Sequence, residues 1–197
     1  MDIKLKDFTC ATHFINELCN NQQNSIAEKL QIIHKEIKQH MAFVDRIAVI
    51  VYEQENDLLH TFTYSDDVQE KILQFYQSKL SDSKALREIA LTGDARIVND
   101  QGIFDRPVKT HSRFIAKRKY GASYTSPFYN DEQFAGLIFI NSRDKNVFDE
   151  ASCNALAPFV QLIGELVCEE IDRLNTLYGS VTTALYYSYE TTEMMAS

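Results

Sequence analysis

The chain has 197 residues, 45% of them apolar and 24% charged, with a formal charge of −8. That length holds one domain with a proper core plus an extension, and the acidic balance argues against a general nucleic-acid binder. In this reading no apolar run approaches the ~18 residues of a membrane span, and the start from Met1 to Phe8 lacks the apolar stretch of a secretion signal, so the expectation is a cytoplasmic protein without a membrane partner.

In chain order, residues 7–20 and 25–41 carry helical patterns. In the second, Ile26, Leu30, Ile33, Ile37 and Met41 form one apolar stripe, and Ser25 with Glu28 fits a capping box. The period then changes. Residues 46–52 are short and rich in β-branched side chains, a central strand, and 58–64 completes a hairpin across the polar turn 54–57. Residues 67–79 and 83–92 read as helices, with Gly93 at a helix C-cap position. A short strand follows at 95–99, then an irregular stretch broken by Pro107, in which 112–119 has room for two helical turns.

Residues 121–128 and 133–141 form a second hairpin, with Asn130-Asp131 as its turn pair. Gly136 inside a strand marks a bulge or the close approach of another backbone. From Asp149 to about Tyr189 the pattern is helical, interrupted in this reading only by Gly164 and Gly179. Paired hairpins among helices give an α+β class with an antiparallel sheet.

Cys10, Cys19, Cys153 and Cys168 form no Cys-x-x-Cys pair and have no zinc-like histidine spacing, so they read as free thiols and no metal site is expected. His13, His34, His40 and His60 are scattered. The chain has no nucleophile elbow, phosphate-binding glycine loop or zinc-protease motif, and the expectation is a protein that is not an enzyme.

The element order, and residues 120–170 above all, resembles the GAF domain family. The carrying residues are Ser123 to Phe128 with Pro127, the turn 130–133, the strand from Phe134 through Gly136 to Asn141, and Phe148-Asp149-Glu150 opening the last helix. Upstream, Asn99-Asp100 closes a strand as in that family. The resemblance covers residues 24–171 and implies a GAF/PAS-like central sheet flanked by helices, with a ligand pocket beneath residues 100–120. By position it implies Asn99, Asp100, Phe104, His111, Arg113, Phe114, Tyr124 and Ser126 as pocket residues. The cofactor is left unknown. Asn141, Lys145 and Phe148-Asp149-Glu150 are similar to a cyclic-nucleotide-binding signature of some members, with different spacing, and otherwise read as a helix cap with a surface lysine. His111 is placed where some members ligate haem, and otherwise reads as a loop residue. Bilin-binding members use a pocket cysteine, and this chain has none between Cys19 and Cys153.

The stretch 106–119 holds Arg106, Lys109, Arg113, Lys117, Arg118 and Lys119 without an acidic residue, which suits either an anionic ligand or a solvated face. In the last helix Val160, Ile163, Val167, Glu170, Leu174, Leu177, Val181 and Ala184 follow a heptad spacing. The expected organisation is an N-terminal helix over 1–23, the sensory domain over 24–171, and a signalling helix over 172–197. A homodimer through the 160–184 helix would pass a signal to an output domain outside this chain, for example an HD-GYP, cyclase or kinase domain. The alternative is a structural homodimerisation module whose pocket is filled.

Overall fold

The computed structural model describes residues 24–67, 77–100, 120–180 and 182–183. The expected first helix, the 101–119 stretch and the last fourteen residues lie outside them. Helix α1 (Ile26–His40) begins as its sequence dictates. Ser25 accepts from the Glu28 N–H, and the Glu28 carboxylate accepts from the Ser25 N–H at 2.7 Å. This reciprocal cap satisfies two donors that the first turn leaves without helical partners. Leu30, Ile33, Ile37 and Met41 are buried, so the 3.6-residue stripe faces the core.

Among the described residues six strands follow: β1 (Arg46–Glu53), β2 (Leu58–Asp66), β3 (Gln77–Lys79), β4 (Arg96–Val98), β5 (Ala122–Asn130) and β6 (Gln133–Ser142). They make one antiparallel sheet in the order β3-β2-β1-β6-β5-β4. A 3-10 turn at Leu80–Asp82 and helix α2 (Lys84–Thr92) lie between β3 and β4, and helix α3 (Glu150–Tyr178) follows β6.

Several readings of the sequence need correction. Residues 77–79 are not helical: they pair with Leu58, Leu59 and His60 as an edge strand. The open edge of β2 overrides the local helical pattern, because its backbone groups need partners. The β5–β6 loop sits one residue later than expected. Asn130 and Gln133 pair, and the loop residues Asp131 and Glu132 both have positive φ, 46° and 65°. Helix α3 ends at Tyr178 rather than near Tyr189, because Gly179 takes the left-handed conformation at φ 79°. It also contains Pro158, which the sequence reading passed over. Pro158 lies on the exposed side of the helix, where the carbonyl it leaves without a partner faces water.

The expected Gly136 feature is present in both its forms. Phe128 pairs with Gly136 and Tyr129 with Phe134, so Ala135 bulges out of the ladder. A Cβ at Gly136 would lie 2.1 Å from the Ile50 carbonyl oxygen and 2.7 Å from the Phe128 ring. Gly93 caps α2 as expected, also at positive φ.

Strand pleating divides the core in two. One face of the sheet packs against α1 and α3 around Ile47, Val49, Ile138, Ile140, Phe148 and Phe159. The other carries a smaller cluster, in which Ile50, Leu59, Leu137 and Phe139 meet Leu80 and Ile89 from the 3-10 turn and α2. By length and composition α3 is apolar enough to cross a membrane, against the expectation from sequence. Its apolar side chains instead fill the first core: Leu156, Phe159, Ile163 and Val167 are all under 2% exposed.

Candidate functional site

The candidate site is built where four strands carry polar side chains in one row. Asp66 of β2 stands opposite Arg46 of β1, Arg46 opposite Asn141 of β6, and Asn141 opposite Ser123 of β5. Direct cross-strand partners share a face, so all four side chains project from the side away from α1 and α3. Arg46 donates to the Asn141 Oδ1 at 3.1 Å, and the Asn141 amide donates to the Ser123 hydroxyl at 3.0 Å. Asn141 is 2% exposed and Ser123 7%. Two residues along, the row becomes Tyr64, Ala48, Phe139 and Thr125, and after that Thr61, Ile50, Leu137 and Pro127.

Neighbouring residues fix the row from its ends. The Tyr120 hydroxyl donates to Asp66 at 3.0 Å, and Arg143 reaches both Asp45 at 3.1 Å and Asp66 at 4.0 Å. The Asp66 side chain is almost fully buried. A buried carboxylate is retained only with such partners.

The residues chosen from sequence fall in different places. Asn99 grips the backbone before α3: its amide donates to the Phe148 carbonyl at 2.8 Å, and its Oδ1 accepts from the Phe148 N–H at 3.0 Å. Asp100 forms an exposed ion pair with Lys145 at 2.8 Å. Tyr124 and Ser126 project toward the helices, on the opposite face from Asn141. The Tyr124 ring lies 6.2 Å from that of Phe148, within the helix-side core. Burial pushes its phenol pKa up, partly offset by the Ser126 hydroxyl. Phe104, His111, Arg113, Phe114 and the basic 106–119 stretch lie outside the described residues.

The segments around the site are capped and tied. Asp149 is the N-cap of α3, and the Ser152 N–H it accepts at 2.8 Å holds its carboxyl below the usual range. Cys153 and Cys168 are free thiols on α3. Burial pushes both pKa values up, Cys168 to about 11, which disfavours the thiolate form. Among the described residues no group of three or more His, Cys, Asp or Glu is placed to hold a metal ion.

Sequence reasoning missed Arg46 and Asp66, and treated Asn141 and Ser123 as motif letters. The signal was a polar residue near the end of each of four strands, readable only once their register is known.

Comparison with solved structures decides the architecture. The GAF domain of a cyanobacterial phytochrome, bound to phycocyanobilin, matches with a TM-score of 0.61 over 86% of this chain and 96% of that one, at 13% identity. The chain has a GAF fold. The GAF domain of a Coxiella burnetii phosphoenolpyruvate-protein phosphotransferase matches with a TM-score of 0.66 over 88% of this chain and 98% of that one, at 12% identity. The corresponding Acinetobacter domain gives 0.61 over 86% and 96%, at 15% identity. No family model and no curated protein matches the sequence. Within the GAF fold, the polar row occupies the sheet face that α1 and α3 leave uncovered.

Proposed function

We propose that this chain is a non-catalytic sensory module that binds a small polar or anionic ligand over the Asp66–Arg46–Asn141–Ser123 row and passes its state through α3 to an output domain. The row is the observation that carries the reading. It sets a guanidinium, an amide, a hydroxyl and a carboxylate side by side, next to the apolar cluster on the same face. Such a set reads a planar polar group through directed hydrogen bonds, with apolar walls beside it. The neighbouring folds include a domain that holds a ligand, which supports the class of activity and leaves the ligand's identity to experiment.

The test is native mass spectrometry of the purified protein, followed by thermal-shift screening with cyclic nucleotides and small carboxylates. A ligand that binds the folded state raises the melting temperature by mass action. Asn141→Ala should abolish the shift. If no anionic metabolite raises the wild-type melting temperature, the ligand reading falls.

A second reading has its own support. The apolar cluster beside the row is already closed by Leu80, Ile89, Leu86 and Phe134, as expected of a dimerisation module with a filled pocket. In that reading Leu174 and Leu177 of α3 pair with a second copy.

A further inference from the structure

Helix α3 stops at Tyr178, and four residues later the chain touches the sheet again. Gly179 turns out of the helix at φ 79°, with its N–H still bonded to the Asn175 carbonyl. Ser180 starts a new turn by accepting from the Thr183 N–H at 3.1 Å. The Thr182 hydroxyl then donates to the Glu53 carboxylate at 3.0 Å. Glu53 is the last residue of β1, so the chain leaving the domain is fastened to the end of the central sheet.

Glu53 is well placed to hold it. Its other carboxylate oxygen lies 3.2 Å from the His60 Nε2, and the His60 Nδ1 lies 3.3 Å from the Gln77 amide. Three strands, β1, β2 and β3, thus converge on the group that receives Thr182. Glycine tolerates both the left-handed turn seen at 179 and an ordinary helical conformation. Between Asp172 and Thr183 no other residue stops a helix, and Leu174 and Leu177 continue a heptad spacing toward Val181.

We propose that the Thr182–Glu53 contact is a latch holding the exit of α3 bent against the sheet, and that its release lets the helix run straight through Gly179. The inference rests on the reading above only in taking α3 as the route out of the domain. The latch joins the exit to Gln77, the first residue of edge strand β3, so a change in the pairing of β2 and β3 reaches the exit through His60 and Glu53. That is a two-position element, which a transmission device requires.

The test uses the full chain with genetically encoded spin labels at Glu55 and Thr183, both exposed, which leaves the four cysteines in place. Double electron–electron resonance should give one short distance in the otherwise unchanged protein. Thr182→Val removes the hydroxyl with little change in shape, and should lengthen the distance by about 5 Å or more, since four residues of helix rise about 6 Å. Thr182→Ser restores a hydroxyl and should return the short distance. An unchanged distance in Thr182→Val overturns the latch, and so does a serine variant that behaves like the valine one. Sedimentation of the same samples bears on the dimer reading separately. A latch that opens without any change in association leaves the latch standing and removes the paired helix.

Discussion

The two faces of the sheet carry different kinds of burial. Toward α1 and α3, long apolar side chains from both helices close on the strands, and His34 is satisfied locally between Ser65 and the Val44 carbonyl. Toward α2, the apolar cluster is smaller and a polar row crosses four strands, hydrogen-bonded from β1 through β6 to β5. One face holds the larger apolar core and the other holds the polar row. A protein arranged in this way can vary the polar face without losing its fold, because most of its hydrophobic free energy lies on the other side.

The largest effect should come from the helix face. Phe159 is fully buried in the middle of α3. Phe159→Ala should cost about 3–5 kcal/mol in urea denaturation. On the opposite side Leu91, at the end of α2, is 83% exposed. Leu91→Ala should stay within about 0.5 kcal/mol. Equal losses for the two would erase the contrast.

Asn99, just after β4, holds the backbone before α3, and it also shows how far the sequence could be read. Its position in the resemblance made it a ligand residue, whereas its side chain serves both backbone groups of Phe148. Asn99→Ala leaves that N–H and C=O unpartnered and should cost about 1–3 kcal/mol, measured by urea midpoint. The elements that were legible are local: the Ser25–Glu28 box, the strand hairpins, the Gly136 bulge and the Asp149 cap are each set by residues within a few positions. The Gln77–Lys79 strand was illegible because it exists only against the edge of β2. The polar row was illegible because its members are far apart in the chain, Arg46 and Asn141 by 95 positions, and are set side by side only by the strand register.

His34 on the helix face predicts a pH response. Burial, the largest cause, lowers the His34 pKa below its ordinary 6.5. Above 6.5 the folded and unfolded states are both neutral at this position, and stability is independent of pH there. Below it the unfolded chain takes up a proton that the folded chain resists, so stability is lost as pH falls from 6.5 through the lowered folded value. Urea midpoints between about pH 7.5 and about pH 5.5 should therefore decline, and His34→Gln should flatten the decline while lowering the plateau. A decline unchanged in the variant would place the titrating group elsewhere.

The smallest stability effect belongs to a region outside both faces. Val160, Ile163 and Val167, which sequence assigned to a dimer seam, are 7%, 1% and 0% exposed within the domain. Packed against the sheet, they are closed to a second copy, and the seam can begin only beyond Glu170, which pairs with Arg173 at 2.6 Å. Leu174 is half-buried and Leu177 is 60% exposed. Leu177→Ala should therefore change monomer stability by no more than about 0.5 kcal/mol. If α3 pairs with a second copy through this end, the same substitution should weaken association measurably in sedimentation at micromolar concentrations. A truncation after Glu170 should remove it. A truncated chain that still dimerises would move the interface onto the domain itself. The distal turns of α3 would then be left with one role, carrying the chain from the core to the turn at Gly179.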